Sequence, residues 1–167
     1  MLPSLIAWST LGVNLVLWLG WGLASGWWHR RTPLSELRGD GPVLRLRRFE
    51  RAGICYERHL RIRWWKDRLP ETGAWFGDMS KRELPGRRVA DLEWFAAECC
   101  RGERTHWTMI AGIPTFALWN SSGWAVAVAG FGLVSNLPCV LVLRYNRARL
   151  EVILTRYGGG GSRDLAN

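Results

Sequence analysis

The chain has 167 residues, enough for one domain, with 48% hydrophobic residues and a formal net charge of +9. Taken alone, that basic balance points to nucleic acid or to an anionic membrane surface. The placement of the charges excludes the first: residues 1–28 and 107–143 carry no Asp, Glu, Lys or Arg, while residues 29–106 hold 18 Lys/Arg and 12 Asp/Glu. A bilayer imposes such confinement, because a charged side chain at its centre costs about 2.5–3.5 kcal/mol or more.

In chain order, Leu2–Trp28 is a charge-free, mostly apolar run longer than the roughly 20 residues that span a bilayer core. It lacks the positive n-region of a secretory signal peptide, although Ala24-Ser-Gly26 has the small-x-small spacing of a cleavage site. Trp27, Trp28, His29, Arg30 and Arg31 form an aromatic and basic stop. Asn14, in mid-segment, is expected to bond to a neighbouring helix. Pro33, Gly39, Gly41 and Pro42 make residues 32–48 mostly loop.

From Phe49 to Lys66 the aromatic and apolar residues Phe49, Tyr56, Leu60 and Trp64 recur at helical spacings among arginines, although Leu60-Arg-Ile-Arg-Trp64 also alternates like a strand. The spacing predicts a basic amphipathic helix on the membrane surface, with a solvated helix packed on its neighbours as the alternative. Pro70, Gly73, Gly77 and Pro85 then punctuate a loop that contains Trp75, Phe76, Ser80, Lys81 and Arg82. Asp91–Trp107 reads as a helix with the stripe Leu92, Phe95 and Ala96.

Trp107–Asn120 is short for a span: 14 helical residues reach about 21 Å against a core of about 30 Å. Either the helix begins before Trp107, placing Glu103 and His106 at headgroup depth, or the segment is re-entrant, with Pro114 kinking it. Asn120-Ser-Ser-Gly123 is a turn between Trp119 and Trp124, a candidate outer aromatic belt. Trp124–Leu143 is long enough to span, with Asn136 and Pro138 toward its inner end, and Arg144-Tyr-Asn-Arg-Ala-Arg149 returns to basic sequence. Gly158-Gly-Gly-Gly-Ser162 resembles a flexible linker or an engineered scar.

Basic flanks belong on the cytoplasmic side. The reading is therefore an all-α integral membrane protein of about three membrane segments, N-terminus outside and C-terminus cytoplasmic, with a basic amphipathic cytoplasmic region between the first and second. Its parts are a transmembrane helix (1–28), a cytoplasmic or interfacial region with the candidate site (29–106), a transmembrane hairpin (107–143), a basic cytoplasmic tail (144–157) and the linker (158–167).

The densest reactive stretch, Glu98-Cys-Cys-Arg-Gly-Glu-Arg-Thr-His106, ends where the second charge-free region begins. Residues three apart share a helix face, which pairs Glu103 with His106 and Glu98 with Arg101. A carboxylate beside a histidine orients the ring and favours its charged form, giving a workable general base, while Arg or Lys steadies an oxyanion. Interfacial salt bridges and a snorkelling histidine explain the same spacing without catalysis. Cys55, Cys99, Cys100 and Cys139 have neither zinc-ligand nor Cys-x-x-Cys spacing and are expected as reduced thiols. An acyl-thioester on Cys99 or Cys100 is the sharper alternative to ordinary buried cysteine. No Gly-rich phosphate loop, Gly-x-Ser-x-Gly elbow, His-Glu-x-x-His site or metal-ligand cluster occurs.

Trp65-Lys-Asp-Arg-Leu-Pro70, Ser80-Lys81, Glu98-x-x-Arg-x-Glu103-x-x-His-Trp107 and Asn136-Leu-Pro-Cys-Val-Leu-Val-Leu-Arg-Tyr-Asn-Arg147 follow one another in this order. Together they resemble the CrtO-type glycosyl-4,4'-diaponeurosporenoate acyltransferase family of bacterial carotenoid-ester synthesis, over roughly residues 50–150, departing at Leu143 where a glutamine is expected. The resemblance implies transfer of a fatty acyl group from a thioester donor to a sugar hydroxyl of a membrane glycolipid, in the bacterial cell membrane. Acyl-CoA or acyl carrier protein would be the donor, and no bound cofactor is implied. On this reading His106 is the base, Glu103 its orienting partner, and Glu98 and Arg101 shape the site. Lys66, Asp67, Lys81, Asn136, Arg144, Asn146 and Arg147 are the candidates for binding substrate or donor. A non-catalytic lipid-binding or assembly subunit of a glycolipid pathway is the alternative.

Overall fold

The computed structural model describes residues 2–37, 41–69 and 88–160, and within them every regular element is helical. The five α-helices are α1 (Leu2–Arg30), α2 (Ile54–Leu60), α3 (Ile62–Trp65), α4 (Val89–Gly112) and α5 (Ser122–Gly160). Lys81 and the loop around Trp75 and Phe76 lie outside the described residues.

Two helices are long and apolar enough to cross a membrane, over Ala7–Arg30 and Ser122–Tyr157, which supports membrane association. The expected segment 107–120 is not a third. Its first six residues are the end of α4, and it continues as a 3-10 helix, Ile113–Leu118, with Pro114 in the first turn rather than as a mid-helix kink. The carbonyls freed by this change of pitch are met locally: Thr115 Oγ1 donates to the Gly112 carbonyl at 2.7 Å, and Asn120 Nδ2 to that of Phe116 at 2.8 Å.

α4 runs antiparallel to both long helices. Along α1 the contacts pass from Trp21 against Gly112 to His29 against Thr108, then to Thr32 against Arg101. Along α5 they pass from Gly132 against Ile113 to Asn136 against His106, then to Arg147 against Glu103. At the far end, Asn14 and Asn120 exchange two amide hydrogen bonds of 2.8 Å, and Trp119 Nε1 adds a third to Asn14 Oδ1 at 3.2 Å. Asn14 thus ties α1 to the α4–α5 turn. The rings of Phe116 and Phe131 each lie 5.6 Å from that of Trp18.

The other end is held by two small cores on α5. Leu143 and Leu150 pack with Leu92, Phe95 and Cys99 of α4; Leu143 is therefore a core residue, for which an apolar side chain suits the site. On another face of α5, Tyr145 packs with Tyr56 and Ile62.

The helix expected from Phe49 to Lys66 is broken. A 3-10 segment, Arg48–Gly53, ends with Ala52 and Gly53 at φ of 59° and 73°, and Arg61, at φ 48°, separates α2 from α3. Gly53 fits for two reasons: its backbone is left-handed, and a Cβ there would meet the Tyr145 ring at 2.7 Å. The pieces leave Phe49 and Trp64 on the outside, 72% and 73% exposed.

The boundary expected at Leu143 is not a structural break, since α5 continues as helix through Arg144–Arg149 and on to Gly160.

Candidate functional site

At the junction of α4 and α5 lies a buried chain of acids and bases. Glu103, 0% exposed, receives Arg144 on one carboxylate oxygen and Arg147 on the other, and Trp107 Nε1 donates to it at 3.3 Å. Arg144 also forks onto Glu50, Nε to Oε1 and Nη2 to Oε2, both at 2.8 Å. Tyr56 donates its hydroxyl to Glu50.

The three carbonyls of Val43, Leu44 and Arg45 accept from Arg144, Arg147 and Arg144 in turn, at 2.9, 3.0 and 3.0 Å. The two arginines therefore strap the segment before the 3-10 turn onto α5. Burial pushes the Glu50 carboxyl up, but hydrogen bonds from Arg144, Tyr56 and the Arg47 amide outweigh it and hold it at about 2. Burial and the neighbouring Glu50 raise the Tyr56 hydroxyl above the usual phenol value.

This network engages two of the expected donor-binding residues, Arg144 and Arg147. A guanidinium has five N–H donors. Those of Arg144 go to Glu50 twice, Glu103, Val43 and Arg45. None is left for a donor's phosphate. Arg147, 8% exposed, is drawn inward by Glu103 and Leu44. Glu50 and Tyr56 were not legible as site residues, because their partners lie 94 and 6 positions away. The one available signal was a lone carboxylate amid Arg47, Arg48 and Arg51.

His106 lies on the α5-facing side of α4, one turn beyond Glu103. Its Nδ1 is 2.8 Å from Oδ1 of Asn136. Asn136 is 2% exposed, and its Nδ2 donates to the Gly132 carbonyl at 2.8 Å and to Ser135 Oγ at 3.1 Å. A backbone carbonyl can only accept, so it fixes the amide with Oδ1 toward His106. That in turn assigns the imidazole proton to Nδ1 and leaves the Nε2 lone pair as the basic site. Both Glu103 oxygens are engaged by guanidinium groups, and the contact on His106 Nδ1 comes from Asn136, 30 positions away.

Glu98 and Arg101 form the expected pair, and Arg101 also donates to the Thr32 carbonyl at 3.2 Å. Lys66 and Asp67 pair with each other at 2.5 Å in the 3-10 turn Lys66–Arg68; no hydrogen bond or ion pair joins them to His106 among the described residues. Asn146 is half-buried on α5 between Tyr145 and Arg147. Cys99 and Cys100 are buried beneath the network, and burial raises the Cys100 thiol despite the nearby Arg147 and Arg104.

The sequence profile of the CrtO family, described as glycosyl-4,4'-diaponeurosporenoate acyltransferase, matches residues 41–156. That stretch contains Glu50, Glu103, His106, Asn136, Arg144 and Arg147. A Staphylococcus haemolyticus protein named glycosyl-4,4'-diaponeurosporenoate acyltransferase is 27% identical over 123 residues, covering 72% of this chain and 71% of the relative. A Staphylococcus aureus protein of the same name is 24% identical over 127 residues, covering 74% and 75%. No solved structure matches the chain significantly. Since the profile covers well over half of its length, the chain belongs to the glycosyl-4,4'-diaponeurosporenoate acyltransferase family.

Proposed function

We propose that the protein is a membrane acyltransferase that moves a fatty acyl group from a thioester donor to a sugar hydroxyl of a membrane glycolipid, with His106 as general base. The observation that supports the base assignment is the relay Gly132–Asn136–His106, which holds the ring proton on Nδ1 and makes Nε2 the basic nitrogen. In the reaction Nε2 takes the hydroxyl proton as the sugar oxygen attacks the thioester carbonyl. The tetrahedral intermediate then collapses, the carbon–sulfur bond breaks, and the imidazolium returns its proton to the departing thiolate. The products are an ester and a free thiol. Glu103 holds α4, α5 and the 43–50 strap together, so its part is to fix the position of His106.

The membrane arrangement follows from helix direction. α1 and α5 both run antiparallel to α4, hence parallel to each other. Both therefore point the same way through the membrane, and between them the end of α4 and the 3-10 helix run back into it as a re-entrant arm. Asn14 is 15 residues from His29, about 22 Å along α1. The turn pinned at Asn120 therefore stops short of a bilayer core of about 30 Å. His106 lies near the inner rim, level with the basic end of α1. The exposed Phe49 and Trp64, beside Arg48, Arg51 and Arg63, suit contact with lipid headgroups.

The test is transfer by purified protein supplied with acyl-CoA and a glycolipid acceptor, read as a mass gain of one acyl group. His106→Ala should lower the rate by about 10²–10⁴-fold while the protein still inserts and folds. Turnover near the wild-type rate in that variant removes His106 from the mechanism.

A further inference from the structure

Among the described residues, four buried polar side-chain atoms have no hydrogen-bond partner: Ser25 Oγ, His29 Nδ1, Arg101 Nε and Arg104 Nε. All four belong to one seam, where the end of α1 meets the middle of α4. Ser25 and His29 are four apart and share a face of α1. On α4, Arg101, Arg104 and Thr108 recur at spacings of three and four and face α1. The seam is closed at its inner end by the chain leaving α1, because Arg101 donates to the Thr32 carbonyl at 3.2 Å and Arg104 to that of Glu36 at 2.7 Å. His29 Nε2 meets Thr108 Oγ1 at 2.9 Å, which turns Nδ1 away from that contact.

The charges in this seam do not balance. Arg101 is paired with Glu98, whereas Arg104 reaches a backbone carbonyl and lies against the Cys100 thiol, with no carboxylate partner among the described residues. A half-buried cation without an anion and several donors without acceptors are each costly. Set along one seam at the basic end of an apolar helix, they suit an anionic partner. Three of the orphaned atoms are donors in any protonation state, and His29 Nδ1 becomes a fourth when the ring is charged. A tetrahedral phosphate offers several acceptor oxygens to donors arriving from two helices, and its charge-assisted hydrogen bonds with arginine are among the stronger ones.

We infer that the α1–α4 seam binds a phosphate ester through Arg104, Arg101, His29 and Ser25. The inference rests on the acyltransferase reading for its purpose, since it supplies an anchor for the acyl donor. The anchor and His106 differ by about 3 Å in height along α4 but lie on opposite faces of it, so a donor anchored here passes around the helix to reach the base. The same phosphate chemistry occurs in the pantetheine arm of a thioester donor and in a phospholipid headgroup. A phospholipid sets its phosphate only a few bonds from an acyl carbonyl; a pantetheine arm sets it farther away.

The test uses the full chain in phosphate-free maltoside micelles, titrated separately with coenzyme A and with phosphatidylglycerol, and reads the shift in thermal unfolding. One of the two should stabilise the wild type. Arg104→Gln should weaken that binding by about tenfold or more, and Arg104→Lys by less. His106→Ala should bind as the wild type does, which separates the anchor from the chemistry. If Arg104→Gln does not fold, Ser25→Val serves instead, because it removes an unpartnered hydroxyl and leaves every described contact in place. Absence of binding by both ligands, or undiminished binding in a folded variant, overturns the site. Binding that depends on Arg104 in a protein without transfer activity keeps the site and removes the acyltransferase reading. Transfer with an unchanged donor KM in Arg104→Gln does the opposite.

Discussion

Arg144 clasps Glu50 through a two-pronged contact, 2.8 Å on each prong, although 94 residues separate them. This contact joins the segment after α1 to the middle of α5, and its strength depends on Glu50 being ionised. Glu50 titrates at about 2 in the folded protein against 4.5 for an ordinary glutamate, so the folded state binds this proton less readily than the unfolded chain. Its contribution to stability is complete above about 4.5 and is lost as pH falls toward 2. Thermal unfolding in detergent, followed by circular dichroism across that window, should show the midpoint falling with pH. Glu50→Gln should start lower at neutral pH and change less. A variant that tracks the wild-type curve would show that other carboxyls carry the acid sensitivity.

Glu103 stands between two guanidinium groups with no exposure at all. Removing its charge leaves Arg144 with Glu50 and leaves Arg147 with only a described carbonyl partner. Breaking a buried pair from one side costs about 3–5 kcal/mol, because the remaining charge is stranded out of water. Glu103→Gln should therefore lower the unfolding midpoint and the yield of folded protein. A variant as stable as the wild type but inactive would return Glu103 to the role of orienting partner for His106 that helical spacing suggests.

The contrast between these residues and the long helices shows what was legible in the sequence. The charge-free runs that became α1 and α5 could be read because exclusion of charge is a property of each segment alone. The break at Arg61 could not, since a left-handed backbone at a non-glycine residue leaves no mark on periodicity. The end of the charged region at His106 suggested a boundary, but hydrogen bonding carries α4 on to Gly112. The pairing of Glu103 with His106 obeyed the helix rule, yet that rule sees only neighbours on one helix. Arg144 and Arg147 arrive from 41 and 44 positions away and take both carboxylate oxygens. Asn136 was legible as an unusual polar residue in an apolar run, though its partner was not.

Asn136 acts on His106 without being placed to take a proton itself, so its substitution should alter how the base titrates. Asn136→Leu removes the acceptor at Nδ1 and frees the ring. Loss of alignment of that kind costs on the order of 10²-fold in rate, and the acceptor KM should change little. Asn136→Asp puts a carboxylate where the amide was. That favours the charged imidazole, so the acid limb of the pH–rate profile should move to higher pH. A purely structural role for Asn136 predicts lower stability in both variants and an unmoved profile.

The remaining route to an ester runs through a cysteine. Cys99 and Cys100 are near the network, but both are buried, at 0% and 1% exposure. A nucleophilic cysteine needs its thiolate, and burial raises the Cys100 thiol instead. Direct attack by the sugar hydroxyl, deprotonated by His106, does not require either sulfur. The double substitution Cys99→Ala with Cys100→Ala should therefore keep transfer activity in whatever fraction of the protein folds. Intact-mass measurement of wild-type protein incubated with donor alone should show no added acyl group. A hydroxylamine-labile adduct that disappears in the double variant would reverse this order of steps, making His106 the activator of a thiol rather than of the sugar.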